Sequence, residues 1–153
     1  MFIIQNEWLS CAVREDAQLF TLLDLKSRRS CNLPEKFFIL HCRTADDREI
    51  LFHAASQKTP RILLTNHIMT IFYPCLANEE QNWNIHLLFV LSLDEKRLRI
   101  EMAIENSSDC RICAIQYFSF SEDFGHNPIE KGEYRRLTPR FISIAEAGTS
   151  RIV

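Results

Sequence analysis

The chain has 153 residues, which suits one domain with a substantial core. Its 46% apolar and 25% charged residues are typical of a globular protein and not of a disordered one. A formal net charge of −2 argues against a nucleic-acid partner held by a broad basic surface, and three glycines leave little room for glycine-rich phosphate loops.

Neither a membrane span nor a signal peptide is predicted. The longest apolar run, residues 85–93, contains His86 and Ser92 and is far shorter than the roughly 20 residues of a spanning helix. The N-terminal sequence MFIIQNEWLS has no basic region and no extended apolar region. We therefore expect no membrane partner and a cytoplasmic or otherwise reducing setting, unless a leader has been removed from a secreted chain.

The first half of the chain alternates short apolar runs with polar turns, a pattern typical of β-strands. Polar segments such as Arg14-Glu15-Asp16-Ala17 separate the runs and predict turns. The predicted strands are residues 9–13, 19–25, 37–42, 50–54, 62–65 and 69–73.

Residues 19–30, LFTLLDLKSRRS, place an apolar run against four charged residues. The run predicts a strand over 19–25 that is partly buried on both sides, because its apolar residues are too dense for one face. Asp24 is expected to accept hydrogen bonds from turn amides, while Lys26, Arg28 and Arg29 stay solvated. The charges then serve turn geometry and not catalysis.

The segment LANEEQNW, residues 76–83, predicts a helical turn or a loop. Beyond it, apolar residues recur at every second position of 85–93 and again of 98–104, which places one face of each strand on a core. Leu87, Phe89, Ile100 and Met102 are expected to face that core. No window of the chain predicts an amphipathic helix.

Two polar segments predict the turns that join these strands. Residues 94–97 suit a hairpin built on a type I turn, and 106–109 form a second turn rich in Asn, Ser and Asp. A third strand over 112–120 would complete a three-stranded antiparallel meander. The polar stretch 121–138 predicts irregular structure. The fold class expected for residues 1–153 is therefore a single all-β domain, an antiparallel sandwich with little helix.

The order of these patterns resembles a known family. The segment NEWLSCAVREDAQLFTLLDLKSRRS is a strand, a turn and a second strand ending in Leu-x-Asp, and LRIEMAIENSSD is an alternating strand followed by an Asn/Ser/Asp turn. Both resemble the N-terminal β-supersandwich, galactose-mutarotase-like domain of glycoside hydrolases. The resemblance covers roughly residues 6–30 and 84–120. It implies a supersandwich-like fold and, since such domains often run longer, a chain that is a fragment or a shortened version.

The resemblance carries over no catalytic residue. The His and Glu contexts of mutarotase enzymes cannot be placed in this chain, and the paired carboxylates of the glycosidases usually lie in a separate barrel domain. Glu79 and Glu80 are adjacent, so an extended backbone would point them in opposite directions, whereas glycoside cleavage needs two carboxyl groups facing one bond. A solvated loop is the favoured interpretation of this pair.

The cysteines and histidines are interpreted as structural. Cys110 and Cys113 form a C-x-x-C, but a zinc site needs four ligands and no second pair follows at short spacing. A redox C-x-x-C normally opens a helix, and this one enters a strand. We expect no obligatory disulfide, no metal site and no cofactor. A Cys–His nucleophilic pair is possible in principle, but no local pattern singles out one of the five histidines.

Trp83 is the candidate contact for a ligand. It stands between Asn82 and Asn84, and an exposed indole flanked by amides could stack on the apolar face of a sugar ring while the amides bond its hydroxyl groups. The alternative is a tryptophan that closes the end of the sandwich.

These observations leave three functions open. The first is a non-catalytic, carbohydrate-associated module, accessory to a glycoside hydrolase, whose partner is a carbohydrate or the catalytic domain. The second is a free-standing module that binds a protein through a sheet face or edge. The third is a small mutarotase-like, sugar-processing enzyme.

Overall fold

The structure is a computed structural model that describes residues 1–34, 37–117, 140–143 and 149–152. Within these ranges the fold is an antiparallel, all-β sandwich-like assembly with one short 3-10 helix, Ala54–Ser56. The strands are β1 (Phe2–Gln5), β2 (Leu9–Val13), β3 (Leu19–Asp24), β4 (Ser30–Pro34), β5 (Phe38–Arg43), β6 (Glu49–His53), β7 (Arg61–Thr65), β8 (Ile68–Tyr73), β9 (Leu76–Ala77), β10 (Asn82–Trp83), β11 (Ile85–Asp94), β12 (Arg97–Asn106), β13 (Arg111–Tyr117), β14 (Arg140–Ser143) and β15 (Thr149–Ile152).

These strands form three main sheets and a small hairpin. One sheet has the order β1-β2-β3-β4, a second β14-β13-β5-β6, and a third β15-β12-β11-β8-β7, while β9 and β10 pair with each other. All pairings are antiparallel. The all-β fold class predicted from the sequence is confirmed.

A single apolar core joins the sheets. Phe38 of the second sheet lies 5.8 Å from Phe89 of the third and 5.2 Å from Tyr73, measured between ring centroids. Such tilted and edge-on contacts between aromatic rings are favourable beyond the area they bury. Large rings from facing sheets thus fill the centre of the sandwich.

The alternation in β11 and β12 has the predicted consequence. Leu87, Phe89 and Met102 are buried, Ile100 is half-buried and packs against the same core, and Phe89 stands opposite Met102. The period of two fixes which face is buried, because successive side chains point to opposite sides of a strand.

The prediction of a three-stranded meander is wrong. β11 and β12 pair as expected, but β13 leaves them and pairs with β5 and β14 in the second sheet. The turn that redirects the chain is closed by Asn106, whose amide Nδ2 donates to the carbonyl of Cys110 at 2.6 Å and whose Oδ1 accepts from the Ser108 amide at 2.9 Å. Cys110 and Ile112 are then buried in the common core.

Two other local predictions also need correction. The loop between β11 and β12 has only two residues, and Glu95 has a φ of 48°, whereas a type I turn keeps both central residues at negative φ. Residues 76–83 form the β9–β10 hairpin and not a helical turn. The predicted irregular stretch 121–138, and the last residues of the strand predicted over 112–120, lie outside the described residues.

The strand and turn predicted in residues 19–30 are confirmed. Phe20 and Leu22 are buried in β3, and the Asp24 carboxylate accepts from the amides of Lys26 at 2.8 Å and Ser27 at 3.1 Å. Burial alone would raise the pKa of Asp24, but these amide hydrogen bonds outweigh it and hold the pKa below its usual value. Arg28 is exposed with a φ of 60°, which marks it as a turn residue.

Candidate functional site

A groove lies between β6 and the β9–β10 hairpin. It has a volume of about 650 Å³, within the range of small-molecule pockets, which is roughly 300–1,000 Å³. Its lining combines charged, amide and hydroxyl side chains with a few apolar ones: Arg48, Glu49, Ile50, Leu51, His53, Ser56, Ala77, Asn78, Glu79 and Glu80.

The β6 wall of the groove follows from strand alternation. Ile50 and Phe52 point inward and are buried, while Glu49, Leu51 and His53 point outward. Leu51 is 41% exposed, so an apolar surface stands between a carboxylate and an imidazole. One wall therefore offers hydrogen-bonding groups and an apolar contact side by side.

Asn78 organises the opposite wall. Its Oδ1 accepts hydrogen bonds from the amides of Glu80 at 3.1 Å and Gln81 at 3.0 Å, and from the indole Nε1 of Trp83 at 3.1 Å. The Asn78 amide in turn donates to the carbonyl of Gln81 at 3.1 Å. An Asx turn of this kind fixes the bend that carries Glu79 and Glu80.

Gln57 connects the two walls. Its Nε2 donates to the carbonyls of His53 at 3.1 Å and Ala77 at 3.0 Å, and its Oε1 accepts from the Ala77 amide at 2.7 Å. One side chain thus bonds the end of β6 to the start of the hairpin. The groove is held by specific hydrogen bonds and is therefore largely preformed.

An ion pair spans the groove at its rim. Nη1 of Arg48 lies 2.7 Å from Oε1 of Glu80, and both side chains are about half exposed. An exposed pair of this kind contributes only about 0–1 kcal/mol to stability. Because both side chains are about half exposed, their remaining donor and acceptor atoms are accessible to a polar ligand.

The three residues predicted to contact a sugar are not brought together. Trp83 is only 7% exposed, and its ring packs edge-on against Phe52 with the centroids 6.3 Å apart. Asn82 and Asn84 are exposed on the other side of the strand, because neighbouring residues alternate. The indole has the position expected of a tryptophan that closes the end of the sandwich, and its face is not open to stacking.

Asn84 contributes to a separate polar group instead. Its Oδ1 lies 3.1 Å from Nε2 of His86, and its carbonyl accepts from the Ser107 amide at 2.9 Å. Nδ1 of His86 lies 3.9 Å from a carboxylate oxygen of Glu105 on the paired strand. These contacts join β11 to the turn after β12, away from the groove lining.

The other tryptophan, Trp8, is half-buried and carries two ammonium groups over its ring. Nζ of Lys96 lies 4.3 Å and Nζ of Lys26 lies 5.0 Å from the ring centroid. Both distances suit cation–π interactions. Side chains of the chain itself therefore already make cation–π contacts with this ring.

The residues of the C-x-x-C motif have different environments. Cys110 is buried and Cys113 is half-buried at a β-bulge between Ile112 and Ala114. Among the residues that the structure describes, no group of three or more His, Cys, Asp or Glu side chains is placed to hold a metal ion. No helix in the described ranges is long and apolar enough to cross a membrane.

The groove residues were not predicted as a site. Among them, only Glu79 and Glu80 were considered from the sequence, and this pair was interpreted as a solvated loop. The only local signals are the polar segments TADDRE and NEEQ, residues 44–49 and 78–81, which resemble ordinary turns. No protein-family model matches the chain, and no curated protein sequence matches it.

Proposed function

We propose that the chain is a non-catalytic, carbohydrate-associated β-sandwich module, accessory to a glycoside hydrolase, and that the groove beside β6 is its sugar-binding site. This proposal is based on the polar and apolar groups that line the groove. A sugar ring presents hydroxyl groups that both donate and accept hydrogen bonds, together with apolar C–H surface. The groove offers a guanidinium donor, carboxylate acceptors, an amide and the exposed side chain of Leu51.

In this proposal, particular side chains of the groove contact the sugar. Arg48 donates to ring hydroxyl oxygens, Glu49 and Glu80 accept from hydroxyl groups, and Leu51 contacts a C–H face. The volume of about 650 Å³ accommodates one or two sugar residues. The strand-and-turn resemblance to supersandwich domains supports the same assignment. Since the described cysteines are thiols not joined by disulfides, we also place the module in a reducing compartment such as the cytoplasm.

Calorimetric titration tests this assignment. Glucose, galactose, maltose and cellobiose are titrated into the wild-type protein and into Arg48→Ala. Losing a charge-assisted hydrogen bond costs about 1.5–3 kcal/mol, so binding of the preferred sugar should weaken about tenfold or more. Arg99→Ala is the matched control, since Arg99 is also exposed and pairs with Asp94 at 3.7 Å on another strand. Equal affinities of both variants, or no binding of any sugar, would refute the proposal.

A second candidate, a protein-interaction module, is favoured by the edge of the third sheet. β7 is the last strand of that sheet in the described chain, and Leu63 and Leu64 are 66% and 43% exposed. An exposed apolar edge strand offers backbone groups and side-chain contacts to an extended peptide. Because Arg61 is the only charged residue of β7, the fitting partner is an apolar strand with an acidic residue near one end.

A binding measurement separates the two candidates. Leu63→Lys should abolish capture of such an extended acidic-apolar peptide and leave sugar affinity unchanged. Arg48→Ala should have the reverse pattern. The protein-interaction candidate fails if Leu63→Lys binds the peptide as tightly as the wild type.

A further inference from the structure

Two buried cysteines lie in β5 and in the turn that leads into β13. Cys42 lies in β5 directly opposite Ile112 of β13, and Cys110 stands two residues before Ile112 and thus on the same side of the chain. Both cysteines are almost completely buried. Cys42 and Cys110 are therefore diagonal neighbours on one buried face of the paired strands, and the interaction between their thiols is the largest cause of the pKa shifts of both groups.

The turn before β13 holds one of these thiols in a polar setting. Oγ of Ser108 lies 3.0 Å from Sγ of Cys110, and the same hydroxyl donates to Oδ1 of Asn106. When the thiol is protonated, it donates to Ser108. When it is ionised, the hydroxyl can rotate and donate to the thiolate instead, so both states have a partner.

This setting favours ionisation of Cys110 over Cys42. The hydrogen bond from Cys42 lowers the pKa of Cys110, and the Ser108 hydroxyl lowers it further, against burial, which raises it. The pKa of Cys42 is raised by the same hydrogen bond and by burial. The pair therefore has one thiol suited to react first and a second, less acidic thiol on the same buried face.

We propose that Cys42 and Cys110 are a redox pair that forms an intrachain disulfide when the folded protein meets hydrogen peroxide. The Cys110 thiolate attacks one peroxide oxygen, the O–O bond breaks, and the leaving hydroxide takes a proton to become water, which leaves a sulfenic acid. Sγ of Cys42 then attacks Sγ of Cys110, the S–O bond breaks, and the hydroxyl leaves as water with the Cys42 proton. Two thiols are oxidised and one peroxide is reduced to two waters.

The burial of Cys110 favours a small oxidant. Cys110 is buried but directly follows the short turn 107–109, in which Ser107 and Asp109 are exposed. Hydrogen peroxide is a small molecule and can reach the thiol when this turn opens locally. A larger oxidant, such as the disulfide of a small peptide, needs a much wider opening. The disulfide would join β5 to the start of β13 covalently.

Peptide mapping of the full chain tests this inference. Fully reduced wild-type protein is treated with a small excess of hydrogen peroxide, the remaining thiols are alkylated, and the protein is digested without reductant. We expect a cross-linked peptide that joins Cys42 to Cys110, with Cys75 and Cys113 alkylated. A Cys110–Cys113 link, a sulfinic acid on Cys110 beside alkylated Cys42, or alkylation of both without a link would overturn the inference.

Two variants examine the role assigned to the turn. Ser108→Ala should slow cross-linking several-fold, because it removes the hydroxyl that stabilises the thiolate, while Ser108→Thr should retain the wild-type rate. Cys113→Ala is the control for the neighbouring thiol and should form the link normally. Equal rates for Ser108→Ala and Ser108→Thr would contradict the assigned role of the hydroxyl.

Discussion

The groove beside β6 and the edge strand β7 are two exposed surfaces of the same sandwich that differ in chemistry. The groove is concave, lined by charged and amide side chains, and held open by the Asn78 and Gln57 hydrogen bonds. The edge is open and apolar, with Leu63 and Leu64 exposed. The contrast shows that one β fold can present a concave polar surface and an open apolar edge, which the two proposed functions use separately.

The largest expected effect comes from the core beneath the groove. Phe52→Ala should cost about 3–5 kcal/mol of unfolding free energy, because Phe52 is completely buried and packs on Trp83. Sugar binding should be lost with the groove wall. Leu51→Ala, one residue away on the exposed face, should cost less than about 1 kcal/mol. Urea unfolding of both variants checks the comparison, and equal costs would contradict the alternation assigned to β6.

Asn78→Ala should have the next largest effect. It leaves three donors without their shared acceptor, so we expect a cost of about 1–3 kcal/mol and a strong loss of groove binding. Peptide capture at β7 should be unchanged if the two surfaces are independent. Asn82→Ala is the control in the same hairpin, because Asn82 is exposed, and it should change stability by only about 0.5 kcal/mol. A similar cost for both variants would show that the Asn78 hydrogen bonds do not support the hairpin.

Leu63→Lys should have the smallest effect on the fold. The side chain is two-thirds exposed, so the change in unfolding free energy should stay within about 0.5 kcal/mol. Besides the loss of peptide capture, we expect lower self-association at high concentration, because a charged residue blocks edge-to-edge pairing. Analytical ultracentrifugation of the two proteins checks this, and greater association of the variant would be the opposite of the expected result.

Local periodicity predicted much of the fold, while tertiary partners could not be read from it. The alternation in β11 and β12 predicted the buried faces, and the Asp24 turn was predicted from its residue types. The sheet that β13 joins depends on long-range packing, because an Asn/Ser/Asp turn can return a strand to its own sheet or carry it to another. The strands β1, β4, β9, β10, β14 and β15 were not predicted, since none is longer than 5 residues and such short segments show little periodicity.

The site was even less accessible from sequence. Arg48 and Glu80 are 32 residues apart and meet only after β6 and the hairpin pack together. The polar neighbours of Trp83 suggested an exposed indole, but strand alternation points Asn82 and Asn84 outward and the tryptophan inward. In physical terms, residue types report on local exposure, while a groove is defined by elements distant in the chain.

Chemical-shift mapping tests the central claim, that the groove is the carbohydrate site, most directly. The ¹⁵N-labelled protein is titrated with the sugar that binds best, and the amide shifts of β6 and the β9–β10 hairpin are compared with those of β7. We predict saturable shifts at Leu51, Ala77 and Asn78, none at Leu63 or Leu64, and loss of these shifts in Arg48→Ala. Shifts confined to β7, or spread evenly over the chain, would contradict the account.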